Sequence, residues 1–165
     1  LEIMRDSQVG AFGVAGGAAV LLLKYGALVS LLGFAGHDPK WSLLLFPMIS
    51  RWSMVVALGS FPYVRSQGLG SPFHQGGILL PTVIAGITAI AGAVLLGSIA
   101  GAGMLVGATL IAWLAGKYMA AKLGGLSGDS YGAVNETIEV LALMAVVAMA
   151  PHNWVEPLTS TLDLT

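Results

Sequence analysis

The sequence has no cysteine and few charges: 7 Lys+Arg and 8 Asp+Glu in 165 residues, 9% of the chain. The first absence excludes disulfides, thiolate metal sites and cysteine nucleophiles, and leaves the redox compartment undetermined. The second excludes an ordinary soluble domain, which carries about 25% charged residues. With a net charge of −1 and its basic residues scattered singly, the chain has no basic stripe, so nucleic acid is not an expected partner. What it has instead is apolar: 56% of residues are hydrophobic and the mean hydropathy is +0.87. The 23 glycines follow no three-residue period and lie inside apolar runs, where small residues let membrane helices approach closely. An integral membrane protein is expected, with the lipid bilayer as its solvent.

A membrane-spanning helix needs about 20 mostly apolar residues, and five stretches qualify: 9–35, 42–60, 76–99, 103–123 and 130–150. No run alternates for long enough to suggest a barrel strand. The predicted fold is therefore all-α, a polytopic transmembrane helix bundle of about five spans, with residues 1–165 forming one transmembrane domain. Ala100, Gly101 and Ala102 are expected to join the third and fourth spans as a tight antiparallel hairpin. Gly86, Ala89, Ala93 and Gly97 recur at helical spacing and read as a packing face. The glycines at 10, 13 and 16 and at 101 and 103 lack the preceding strand that a nucleotide-binding loop requires. The opening residues are mixed in charge and precede a run too long for a signal-peptide core. The start at Leu1 rather than Met is read as a cut or processed start.

Five crossings place the N-terminus, the loop after the second span and the loop after the fourth on one side. That side collects Arg5, Asp6, Arg65, His74, Lys122 and Asp129. The other holds His37, Asp38, Lys40 and the tail, with His152, Glu156 and Asp163. The Lys/Arg excess assigns the first side to the cytoplasm.

The densest polar signal is Gly124-Gly-Leu-Ser-Gly-Asp129-Ser-Tyr-Gly-Ala-Val-Asn-Glu136-Thr-Ile-Glu139. Asp129 is expected to cap the fifth span, with Glu136 two turns deeper and Glu139 one turn below that. Carboxylates inside an apolar helix cost about 2.5–3.5 kcal/mol each, so they face a partner or a wet cavity. Two readings stay open. The three acids suit a hard cation held through oxygen, magnesium being the natural candidate. Alternatively Glu136 and Glu139 pair with Arg51 or Lys24 as structural glue. Arg65 sits beside a glycine-flanked turn, where a planar donor fork suits an anionic phosphate. The three histidines have no metal-ligand spacing, and no nucleophile elbow is present.

Four blocks carry a resemblance: Leu1-Glu-Ile-Met-Arg5-Asp6-Ser7 with Gly10; Ser50-Arg51-Trp52; Pro62-Tyr63-Val-Arg65-x-x-Gly68-Leu69-Gly70; and Gly124-Gly-x-x-Gly-Asp129-x-x-Gly132-Ala-x-x-Glu136-x-x-Glu139. Together, in this order along essentially the whole chain, they resemble the cobalamin synthase family, the adenosylcobinamide-GDP ribazoletransferases. The resemblance implies a multi-pass enzyme of the cell inner membrane with a cytoplasmic active face. It implies a magnesium-dependent transfer (Mg2+ as cofactor) that joins adenosylcobinamide-GDP to alpha-ribazole or its 5'-phosphate and releases GMP. Carried over, Asp6, Asp129 and Glu136, with Glu139, become candidates for metal binding, the first three also for activating the hydroxyl. Arg5, Arg51 and Arg65 become candidates for the substrate phosphates. Members also carry an acidic DG-x-AD block before the first of these segments. Its absence implies the C-terminal two-thirds of such an enzyme, expected not to turn over alone. The alternative is a transporter with an intramembrane charged site.

The sidedness is directly testable. Cysteines placed at Ser66 and Ser127 are expected to react with an impermeant maleimide only from the cytoplasmic face, and one at Lys40 only from the other. Labelling of Ser66 and Ser127 from opposite faces would break the convergence.

Overall fold

In the computed structural model, residues 10–34, 39–64, 79–152, 154, 155, 157 and 158 are described. Four α-helices follow one another: α1 (Ala11–Gly33), α2 (Pro39–Ser60), α3 (Leu79–Leu123) and α4 (Gly128–Met149), the last running into a short 3-10 turn, Ala150–His152. Among the described residues the only extended pairing is an isolated bridge between Tyr63 and Leu126. All four helices are long and apolar enough to cross a membrane. At 1.5 Å per residue, α1, α2 and α4 are each about 33 Å long, against a hydrocarbon layer of about 30 Å.

A straight helix of 45 residues would measure about 67 Å, but α3 does not run straight. Ser98 leaves helical geometry with φ +50° and ψ −137°. Contacts with α2 trace the path of the chain on either side of this point. Gly59 faces Thr82, the Trp52 ring packs on Gly86, Met48 lies against Gly92 and Leu45 against Gly97. Beyond Ser98 the order inverts: Trp52 Nε1 donates to Thr109 Oγ1 at 2.9 Å and Phe61 covers Gly116. The chain therefore reverses at Ser98. Residues 79–97 run antiparallel to α2 and residues 99–123 run parallel to it, giving the third and fourth predicted spans. The turn falls at Ser98 rather than at residues 100–102, and just beyond it Gly101, lacking a Cβ, fits against the Ala93 carbonyl.

The small-residue stripe is a packing face, with Ala89, Ala93 and Gly97 all buried. α2 is the central helix, packed on both α3 and α4. Its buried side, from Ser42 through Leu45, Ile49 and Ser53 to Ala57, joins Ala93, Ala112, Ile138, Leu143 and Val146 in the core. Ser53 Oγ donates to the Ile49 carbonyl at 3.0 Å, so the buried hydroxyl is satisfied within its own helix. α1 is different. Leu31 is its one buried residue, and Phe12, Leu21, Leu22 and Leu32 are exposed. A surface this apolar suits lipid or further apolar helices. This is an all-α membrane bundle.

The expected ends of two spans move. α2 begins at Pro39, which suits a first helical turn because it has no N–H to leave unpaired. α4 begins at Gly128 and ends at Met149, and Pro151 sits within the 3-10 turn after it. The start of α3 is Leu79, and residues 76–78 lie outside the described set.

The reversal can be checked with two glycines. Gly101→Ala places a methyl on the Ala93 carbonyl, whereas Gly107 has nothing within 4 Å of the corresponding position. Gly101→Ala should lower stability by about 1–3 kcal/mol in thermal unfolding in detergent. Gly107→Ala should be neutral, and equal behaviour of the two would contradict the turn.

Candidate functional site

The loops after α2 and α3 meet at one end of the bundle. Val64 N donates to the Leu126 carbonyl at 2.9 Å, and Leu126 N donates to the Pro62 carbonyl at 2.8 Å. Gly124 and Gly125 make the approach possible: both have positive φ (+77° and +150°), and a Cβ on Gly125 would stand 2.6 Å from the Pro62 oxygen. Tyr63 and Tyr131 stack nearly parallel across this junction, with ring centroids 6.2 Å apart. The two loops expected on one side are thus joined, and Val64 leads directly into the segment carrying Arg65. Arg65 itself, with Arg5, Asp6, His37, Asp38, His74, Glu156 and Asp163, lies outside the described residues.

Asp129 does not cap α4. Ser127 does, its Oγ accepting from Ser130 N while the Ser130 side chain accepts from Ser127 N. Both serines are buried, so the reciprocal pair satisfies donors that water cannot reach. Asp129 takes the first turn instead, where a carboxylate meets the positive end of the helix dipole.

Deeper in the bundle lies a second polar group. Lys24, from the middle of α1, places its ammonium 2.7 Å from Glu136 Oε2 and 3.2 Å from Glu139 Oε1 on α4. Asn135 links this pair to α2. Its Nδ2 donates to Glu136 Oε1 at 3.4 Å and to Glu139 Oε2 at 3.3 Å, and its Oδ1 accepts from Arg51 Nη1 at 3.2 Å. The group spans three helices and is charge-balanced, with two cations and two carboxylates. Arg51 also approaches Met54 Sδ at 3.8 Å, and its side chain is exposed.

Of the two readings left open for the helix acids, the pairing with Lys24 is realised, and for both of them. Arg51 meets an amide rather than a carboxylate. The metal reading fares differently. Asp129 is seven residues from Glu136, about 10 Å along the axis, and among the described residues no three His, Asp or Glu side chains stand close enough to hold a metal ion. The oxygen donors are of the right chemical kind for magnesium, but the Lys24 ammonium already lies between the two glutamates. The described residues therefore do not make a metal site. Asn135 carried no role in the sequence reading. An uncharged amide gives no periodic or charge signal, and its spacing of one and four residues from two glutamates was the available clue.

A helical bundle that sets a balanced ionic group among its spans, and ties two polar loops together at one end, is a membrane protein built around a polar centre. The chain belongs to the cobalamin-5-phosphate synthase family, whose family model matches residues 1–147. It is 42% identical over 151 residues to a protein of Geotalea daltonii named adenosylcobinamide-GDP ribazoletransferase, covering 90% of this chain and 59% of that protein. Proteins of the same name from Desulforamulus reducens and a Roseiflexus species are 38% and 37% identical, covering 89% and 92% of this chain and 58% and 55% of theirs. The chain thus spans somewhat under three-fifths of the length of the curated relatives it matches. No solved structure matches it.

Proposed function

We propose that the protein is a membrane phosphotransferase of cobalamin synthesis. It joins adenosylcobinamide-GDP to alpha-ribazole or its 5'-phosphate and releases GMP, at the cytoplasmic face of the cell inner membrane. One observation carries this reading: similarity over about nine-tenths of the chain to proteins bearing that activity in their names. The geometry supports it, because the loop leading to Arg65 is hydrogen-bonded to the loop leading to Asp129.

In the proposed reaction a ribazole hydroxyl oxygen attacks the cobinamide-side phosphorus. The new P–O bond forms as the bond to the GMP oxygen breaks, and GMP carries away the electron pair. A carboxylate takes the hydroxyl proton, with Asp129 at the junction of the loops the first candidate and Asp6 and Glu136 the others. Arg51, with Arg5 and Arg65, would hold the diphosphate and offset the charge that develops as GMP leaves. Magnesium dependence belongs to the same proposal, drawn from the family resemblance, and a bound ion would supply further neutralisation of the diphosphate.

The test is GMP release from adenosylcobinamide-GDP and alpha-ribazole with magnesium, using the full gene product. Asp129→Asn and Glu136→Gln should each cut turnover by more than about tenfold, since a positioned proton-transfer group contributes on the order of 10²–10⁴-fold, while the protein stays folded in detergent. Normal rates in both would refute the site assignment. Substrate flux into liposomes without GMP release would point to a transporter instead.

A further inference from the structure

Three features stand outside the proposed reaction. An apolar groove of about 240–260 Å³ per lobe runs between α4 and residues 103–119 of α3, but nothing shows what covers it. The Tyr131 hydroxyl is buried at the loop junction, and nothing among the described residues shows a ligand for it. The third feature is Asn135, a polar side chain only 3% exposed that holds a cation on one side and two carboxylates on the other.

We infer that Asn135 is a positioning residue that aims the Arg51 guanidinium at the substrate diphosphate. The inference rests on the phosphate-binding role proposed for Arg51. An amide is suited to the task because it accepts through its oxygen and donates twice through its nitrogen. No carboxylate could donate to Glu136 and Glu139, and a third negative charge beside them would repel both. With its Nη1 donating to Asn135 and lying beside Met54 Sδ, one corner of the guanidinium is anchored. Its remaining donors lie on an exposed side chain, flanked on α2 by Ser50 and Ser53, which are buried and bonded within their own helix. Arginine has five N–H groups in a rigid plane, so fixing one edge directs the other. Without that anchor a long side chain loses rotamer freedom only when substrate binds, and affinity falls accordingly. Asn135 is itself fixed, because its nitrogen is tied to two acids that Lys24 holds in place. Orientation thus passes from α1 through α4 to α2.

The experiment uses the full gene product and four variants: Asn135→Leu, Asn135→Ser, Arg51→Gln and the double Arg51→Gln/Asn135→Leu. The serine is included because it is too short to reach Arg51 yet disturbs packing least. The readouts are KM for adenosylcobinamide-GDP, KM for alpha-ribazole, kcat and the thermal midpoint. Asn135→Leu or Asn135→Ser should raise KM for adenosylcobinamide-GDP about tenfold, the size of one misaligned charge-assisted hydrogen bond, with KM for alpha-ribazole unchanged. The double variant should be no worse than Arg51→Gln alone, because the two residues act through one contact. A lowered thermal midpoint with both KM values unchanged, or additive losses in the double variant, would overturn the positioning role while leaving the phosphate role of Arg51 standing. An Arg51→Gln variant with an unaltered KM for adenosylcobinamide-GDP would remove that role, and the positioning of Asn135 with it.

Discussion

An ammonium ion and two carboxylates set in apolar helices need a partner or a wet cavity, and the approach of Lys24 to Glu136 and Glu139 is the constraint on which much of this structure depends. Each ion alone carries a penalty of a few kcal/mol in a membrane segment. Paired at 2.7 and 3.2 Å they offset it, and the arrangement requires α1 to lie against α4 at one register. Leu31 is the one fully buried side chain of α1, and Ala27 and Leu28 pack partly buried against the core beside it. Its attachment to α4 therefore combines this packing with the ionic contact. Arg51, linked through Asn135, completes the charge balance and extends the group to the central helix.

Packing in the rest of the bundle depends on small residues rather than on charge. Lipid is as apolar as leucine, so helices associate through close fit. The two halves of α3 reach α2 because Gly86, Gly92 and Gly97 leave room for Trp52, Met48 and Leu45, and because Gly116 leaves room for Phe61. The reversal at Ser98 places both halves along the same helix. At the opposite end the same reversal delivers Leu126 to Pro62 and Val64, so the geometry of one turn sets which polar loops meet. The ionic centre and the joined loops are held by the same central helix.

Much of this was legible in the residues, and the remainder has identifiable causes. Spans were readable because apolar run length is close to a direct measure of membrane crossing, and α1 and α2 fall within a few residues of expectation. The turn within α3 was misplaced because 97–103 is almost entirely small residues, any of which tolerates a bend. The cap of α4 was misassigned between Ser127 and Asp129, both good capping types, and the two are separated by the reciprocal bond that Ser127 makes with Ser130. The partner of the helix acids was left open because spacing along one helix cannot choose between cations on two others. Asn135 was missed since nothing in its charge or periodicity announces it. The family blocks, by contrast, were visible without any fold, and the match over residues 1–147 bears them out.

The claim that charge balance seats α1 on α4 is tested most directly by removing the charges in two ways and following thermal unfolding in detergent. Lys24→Met leaves Glu136 and Glu139 facing each other without a cation. After allowance for the half-exposed Glu136, the account predicts a loss on the order of 2 kcal/mol. The triple variant Lys24→Met/Glu136→Gln/Glu139→Gln removes the ions together and should recover most of that loss. Wild-type stability in Lys24→Met, or a triple variant as unstable as the single one, would contradict the account.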